Sequence, residues 1–254
     1  MRARRRFGQN FLHDRGITDR IVAAINPQPD QHLVEIGPGH GAISKPLLAS
    51  GANLTMLEID RDLVAELSQQ SDLQKAQIIS GDALEVEFGK LGKGPFRVVG
   101  NLPYNISSPL IFHCMAQLTH IHDAHFLLQK EVVQRMAAQP GSRTYGRLSV
   151  MLQYHCGVKS LFTVPPGAFV PVPKVQSAFV RLTPHGVLPA VANSYDTFAK
   201  VVASAFAQRR KQLLNSLKSL ISADQLTELG ISPQIRPEQL APQQFVSIAN
   251  AVTE

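Results

Sequence analysis

The residues best suited to chemistry are Asn101-Leu102-Pro103-Tyr104, which follow the apolar run Phe96-Arg97-Val98-Val99-Gly100. A short run rich in β-branched residues that stops at Asn-x-Pro predicts a buried strand ending in a sharp turn. An open α/β sheet keeps its ligand site outside the carboxyl ends of its strands, so the turn is well placed. Its parts suit one task, which is holding an unpaired base by its exocyclic amine. An adenine N6 is a poor nucleophile because its lone pair is delocalised into the ring. The Asn101 side-chain carbonyl and the Leu102 backbone carbonyl are two acceptors for that amine, and together they favour a pyramidal nitrogen with its lone pair aimed at an electrophile. Pro103 stiffens the turn, and Tyr104 offers a π-face to a base taken out of its stack. An ordinary strand-ending turn with a half-buried tyrosine fits the same four residues, so the rest of the chain has to decide.

Three further strand ends decide it. His32-Leu33-Val34-Glu35-Ile36 predicts a first strand, running into Gly37-Pro38-Gly39-His40-Gly41 and then a helix over about 42–50. Such a glycine-rich turn lets a ligand approach the backbone and presents helix N-terminal N–H groups. The spacing is G-x-G-x-G, which departs from the G-x-G-x-x-G dinucleotide fingerprint and argues against a nicotinamide-dependent oxidoreductase. Glu58 closes a second strand (53–59), where an acidic side chain binds ribose hydroxyls in dinucleotide folds. Asp82 follows a third strand (76–80), where a carboxylate can accept from an adenine amine. Singly, these are a loop glycine, a solvated acid, a helix cap and a turn asparagine. At successive strand ends, in chain order, Gly37, Glu58, Asp82 and Asn101 form a nucleoside-binding constellation.

A helix over 106–117, a fifth strand over 124–128 and a helix carrying Lys130 and Arg135 complete the pattern. Strands alternating with helices at this interval predict βαβ units and a mostly parallel, doubly wound sheet. Residues 145–154 look helical. Two strands over 158–164 and 177–182 flank a proline-rich link, whose shortness allows them to be antiparallel neighbours. Beyond Pro184 the strand signal stops, and 198–220 with several shorter segments predicts a small helical domain. The expected division is 1–185 and 186–254.

The chain has 254 residues, is 44% hydrophobic and has a formal charge of +6. It is long enough for one large domain and a small one. No apolar run is long enough to cross a bilayer, and Arg2, Arg4, Arg5 and Arg6 lead into Phe7-Gly8-Gln9 rather than a signal-peptide core. Cys114 and Cys156 fit no metal spacing and no disulfide framework, which favours a reducing cytoplasm. The positive charge points to a polyanionic partner, most naturally nucleic acid.

The set Glu35-Ile36-Gly37-Pro38-Gly39-His40-Gly41 with Asn101-Leu102-Pro103-Tyr104 resembles class I S-adenosylmethionine-dependent N6-adenine methyltransferases. Four further segments narrow the resemblance: residues 6–12 (RFGQNFL), 101–109 (NLPYNISSP), 145–150 (YGRLSV) and 169–177 (FVPVPKVQS). Across nearly the whole chain they resemble the bacterial small-subunit (16S) ribosomal RNA adenine N6,N6-dimethyltransferases. The resemblance implies a Rossmann-like methyltransferase sheet, mostly parallel with an antiparallel last strand, followed by a small all-α domain. It implies cofactor contacts from Asn10, Leu12, Gly37, Gly39, Glu58, Asp82 and Asn101, with S-adenosylmethionine as the cofactor and no metal. It implies target-base contacts from Asn101, Leu102, Pro103 and Tyr104, with Phe169 as a second aromatic face. The implied substrate is a pair of adjacent adenines in a hairpin near the 3′ end of small-subunit rRNA, each methylated twice by a monomeric enzyme. His40 departs modestly from the pattern, which is more often apolar or small there.

An RNA substrate calls for basic residues. Residues 201–220 contain Gln208-Arg209-Arg210-Lys211-Gln212 among Val201, Val202, Ala205, Leu213, Leu214 and Leu217. One helix across this stretch would bury its apolar side and present Arg209, Arg210 and Lys211 to phosphates. Arg4, Arg5 and Arg6 of the arm and Arg147 are further RNA-binding candidates. Phe169 fits either a core plug or, between its prolines, a displayed loop. Two other activities share much of the pattern: a methyltransferase of large-subunit rRNA, and an RNA-binding assembly factor without turnover.

Overall fold

The computed structural model describes residues 9–208 and 211–253. In chain order the strands and α-helices are β1 (Phe11–Leu12), α1 (Arg15–Ile25), β2 (His32–Ile36), α2 (Ser44–Ala49), β3 (Asn53–Glu58), α3 (Arg61–Ser68) and β4 (Gln77–Ser80). They continue with β5 (Phe96–Asn101), α4 (Ser107–Met115), β6 (Ile121–Gln129), α5 (Lys130–Met136), α6 (Arg147–His155), β7 (Cys156–Val164), β8 (Phe169–Val170) and β9 (Ser177–Pro184). The chain closes with α7 (Tyr195–Phe206), α8 (Leu213–Leu217), α9 (Ala223–Glu228) and α10 (Pro242–Thr253). Two compact units result. One takes the chain up to Val133 together with Lys159–Pro184, and the other takes Gln134–Val158 together with the chain from His185 onward. The division at 185 expected from the loss of strand signal is therefore crossed by residues 134–158, which group with the C-terminal segment.

In the first unit, seven strands run in the order β4-β3-β2-β5-β6-β9-β7. The β2–β3, β3–β4, β2–β5 and β5–β6 pairs are parallel, whereas β9 runs antiparallel to β6. Strand β2 is buried at four of its five positions, which explains its unbroken apolar run: a central parallel strand is covered on both faces. Chain order reverses between β2 and β5, which makes that crevice the switch point where a doubly wound sheet takes its ligand.

Local chemistry sets the helix ends. Asp14 caps α1 by accepting from the Ile17 N–H at 3.0 Å, and Asp60 caps α3 through the Asp62 N–H at 3.1 Å. Helix α1 stops at Asn26, whose left-handed φ of 49° suits a C-terminal cap. Under the sheet, Arg97 and Asp123 form a buried two-pronged pair at 2.8 and 2.9 Å. The remaining Arg97 donors are taken by the Ile25 and Asn26 carbonyls and by Gln31, which ties β5 and β6 to the end of α1.

The second unit has its own apolar core, in which Phe198, Val201 and Val202 of α7 meet Leu213 and Leu217 of α8 and Phe245 and Ile248 of α10. The single helix expected across 201–220 is not what forms. Helix α7 ends at Phe206 and α8 starts at Leu213. Both helices bury leucine, valine and phenylalanine in one core, and a straight helix carrying five consecutive polar residues (208–212) between those apolar faces would not serve both. No described helix is long and apolar enough to cross a membrane.

Candidate functional site

A cleft opens over the carboxyl ends of the parallel strands, lined by the loops after β2, β3, β4 and β5 and by residues 9–12 of the arm. Each strand end delivers one of the residues singled out by type and spacing. The loop after β2 supplies Gly37, Gly39 and Gly41, all at positive φ (66°, 59° and 83°), where a side chain is strained. Gly39 also has no room for one: a Cβ there would sit 2.9 Å from the Phe11 ring. The turn thus needs glycine both for its path and for the arm that lies against it.

At the end of β3, the Glu58 carboxylate is buried and accepts from the Asp60 N–H at 2.9 Å. Burial raises its pKa, while the N–H groups of Asp60, Gly39 and Ile59 pull the other way. A carboxylate held by backbone donors at the rim of a nucleoside-sized cleft is a preformed acceptor for a pair of hydroxyls. Asp82, after β4, accepts from the Leu84 N–H at 2.9 Å, which directs its carboxylate along the cleft wall. One acid was missed by reading strand ends alone. Glu35 within β2 lines the same cleft, is buried, and its Oε2 has no hydrogen-bond partner among the described residues. Burial pushes its pKa up to about 7. The only sign in the sequence was an acid inside an otherwise apolar strand.

The Asn101 turn forms the opposite wall. Leu102 N–H donates to the Leu127 carbonyl at 3.2 Å, pinning the turn to β6. Asn101 Nδ2 donates to the Asn10 carbonyl at 2.8 Å. An amide's nitrogen and oxygen diverge from one carbon, so this bond fixes the Oδ1 acceptor on the other side. The Pro103 and Tyr104 carbonyls are committed to the Ile106 N–H and the Ser107 hydroxyl. Leu102 is left as the turn carbonyl outside such bonds among the described residues. Tyr104 is half-buried and its hydroxyl meets Ser177 Oγ at 2.7 Å.

The arm closes the cleft. Phe11 and Leu12 pair antiparallel with Val170 and Phe169, Gln9 reaches Asp60 at 3.4 Å, and Phe11 lies 4.4 Å from the His40 ring. His40 also bonds Glu66 Oε1 at 2.7 Å, so this departure from the pattern ties the glycine loop to α3. Asn10, Leu12, Gly37, Gly39, Glu58, Asp82 and the 101–104 turn are therefore brought together. Phe169 is not among them. It is 1% exposed and packs with Leu12, Ala168 and Phe179 in the core, because the β1–β8 pairing turns it inward. In this structure it is a core plug rather than a second aromatic face. Arg147 opens α6 and Lys211 lies between α7 and α8, both exposed in the second unit. Arg4, Arg5, Arg6, Arg209 and Arg210 lie outside the described residues.

The cofactor fit can be judged from the donors and acceptors present. The positive-φ glycines, the Glu58 acceptor at the ribose position and the unpartnered Glu35 oxygen suit a nucleoside carrying positive charge. S-adenosylmethionine has that chemistry.

Comparison with known proteins agrees. A family model described as ribosomal RNA adenine dimethylase matches residues 1–254. Ribosomal RNA small subunit methyltransferase A of Pseudomonas syringae pv. tomato is 53% identical over 256 residues, covering 100% of this chain and 96% of the relative. The protein of the same name from Aeromonas hydrophila subsp. hydrophila is 54% identical, covering 98% and 93%. Among solved structures, a dimethyladenosine transferase from Plasmodium falciparum superposes with a TM-score of 0.79 at 25% identity, covering 94% of this chain and 95% of that one. The 23S rRNA methyltransferase ErmE superposes with a TM-score of 0.77 at 25% identity, covering 96% and 100%. Matched by the family model from its first residue to its last, the chain is a member of the ribosomal RNA adenine dimethylase family.

Proposed function

We propose that this protein transfers methyl groups from S-adenosylmethionine to N6 of two adjacent adenines in a hairpin near the 3′ end of small-subunit rRNA. The product is N6,N6-dimethyladenine, formed during ribosome biogenesis in the cytoplasm by a monomeric enzyme. The observation that carries the mechanism is the Asn101 amide, locked by the Asn10 carbonyl so that its oxygen is an acceptor in the same cleft as Glu58 and the glycine turn. Full-length identity above 50% to relatives named for the small subunit favours that substrate over large-subunit rRNA, since the fold matches both kinds of structure about equally.

Bound S-adenosylmethionine supplies an electrophilic methyl on a sulfonium. The protein's part is positional. Gly37 and Gly39 admit the cofactor to the backbone, Glu58 accepts from the ribose hydroxyls, and Asp82 accepts from the adenine amine. Asn101 Oδ1 and the Leu102 carbonyl accept from the target N6, drawing its lone pair out of the ring. Both bonds strengthen as N6 becomes positive, so they favour the transition state over the ground state. The cationic amine is acidic enough to lose its proton without a strong base. Tyr104 stacks on the extruded base and holds N6 in line.

Incubation with labelled S-adenosylmethionine and unmethylated small subunits, followed by mapping of the modified base, tests the assignment. Label at two adjacent adenines near the 3′ end supports it. Label elsewhere in the small-subunit RNA, label only in a parallel incubation with unmethylated large subunits, or none with intact protein, refutes it.

A further inference from the structure

Tyr104 is held at two points, and only one of them belongs to the turn that carries it. Its backbone carbonyl accepts from the Ser107 hydroxyl at 3.0 Å, at the start of α4. Its phenolic oxygen meets Ser177 Oγ at 2.7 Å, across 73 residues of chain. Ser177 is the first residue of β9 and is 0% exposed. The sheet explains how it arrives there. The parallel strands present their carboxyl ends to the cleft, and β9, antiparallel to β6, presents its amino end to the same edge. Ser177 is registered opposite Gln129 at the end of β6, while Leu127 of the same strand is registered opposite Asn101. Just ahead of it, Gln176 is clamped to Lys130 by a backbone bond of 2.9 Å and a side-chain bond of 2.8 Å. The hydroxyl is therefore carried on a fixed strand end rather than on a mobile loop.

Resting on the function proposed above, we propose that Ser177 is a positioning residue for methyl transfer, acting by anchoring the ring of Tyr104. The phenolic oxygen lies on the axis about which the ring flips. A bond to it leaves flipping unhindered but stops the ring from swinging about its first side-chain torsion. That swing carries the π-face toward or away from the space above Asn101 and Leu102. A ring that swings still offers stacking area to a base but no longer sets the distance from N6 to the methyl donor. The anchor is thus felt in the chemical step more than in binding.

The test is a double-variant cycle on the full chain with unmethylated small subunits. Ser177→Ala and Tyr104→Phe each break the same bond, so each should slow single-turnover transfer at saturating cofactor and subunit by about 3–10-fold, the size of one neutral hydrogen bond. Affinity for subunits should stay within twofold. The double variant should be no slower than the slower single variant, because the bond can be broken only once. Folding gives an independent reading. Tyr104→Phe leaves the buried Ser177 hydroxyl unpaired and should lower the melting temperature, and adding Ser177→Ala should restore part of the loss. A full rate in Ser177→Ala, a multiplicative loss in the double variant, or a loss confined to subunit affinity each overturns the proposal. An inactive wild-type protein would instead count against the function on which it rests.

Discussion

Glu35 and His125 are buried groups in the first unit whose effects on stability run in opposite directions with pH. Burial pushes the Glu35 carboxyl up to about 7 from 4.5, and the charge of Glu58 adds to the rise. His125 on β6 is 0% exposed and neither ring nitrogen has a hydrogen-bond partner among the described residues. Burial pulls its pKa down to about 4 from 6.5, with Asp123 opposing and Arg97 and Arg181 assisting. Between pH 4.5 and 7 the folded state holds a proton on Glu35 that the unfolded chain has released, so stability falls as pH rises. Between pH 4 and 6.5 the unfolded chain holds a proton on His125 that the folded state lacks, so stability rises with pH. Each shift spans 2.5 units, obtained as 7 − 4.5 for Glu35 and 6.5 − 4 for His125, which corresponds to about 3 kcal/mol. The two contributions cancel over most of the interval, and single variants expose them. Urea unfolding followed by circular dichroism from pH 4 to 8 should show Glu35→Gln gaining about 3 kcal/mol over wild type as pH rises from 4.5 to 7. His125→Leu should lose about 3 kcal/mol relative to wild type as pH rises from 4 to 6.5. Subtracting the wild-type curve removes the titrating groups that are not coupled to Glu35 or His125. Difference curves that are flat, or of the same sign in both variants, would refute this reasoning.

The other predictions concern the cleft and the RNA. Glu58→Ala should weaken S-adenosylmethionine binding by about 1.5–3 kcal/mol, measured by calorimetry, with RNA affinity nearly unchanged. Gly100→Ala would set a Cβ 2.6 Å from Leu102 Cδ2 and 2.8 Å from the Ile36 carbonyl oxygen, so thermal melts should show a loss of about 1–3 kcal/mol. Replacing Arg209, Arg210 and Lys211 by Gln should flatten the log–log salt dependence of RNA affinity by roughly 0.7–0.9 for each phosphate no longer neutralised, with cofactor binding intact.

The central strands were legible because strands covered on both faces show as unbroken apolar runs, and their ends marked the cleft in chain order. What stayed hidden depends on long-range pairing. Strands β1 and β8 are two residues each, too short for any periodicity, and the inward turn of Phe169 follows from their register. The interruption after Phe206 was hidden because the apolar spacing runs on through the basic stretch, while the tertiary core needs two helices there. Glu35 sat inside an apolar strand, and only the fold shows that its carboxylate reaches the cleft. Ser177 showed in the sequence only as the first residue of an expected strand, and its meeting with Tyr104 follows from the antiparallel direction of β9.

In the proposed mechanism everything turns on the Asn101 turn positioning adenine N6 for methyl transfer. Single-turnover transfer to unmethylated small subunits, at saturating S-adenosylmethionine and with Asn101→Ala checked for folding, tests it most directly. The wild-type protein should yield N6,N6-dimethyladenine, and the variant should be slower by about 10²–10³ while still binding subunits. A folded Asn101→Ala protein that methylates at the full rate would contradict that role.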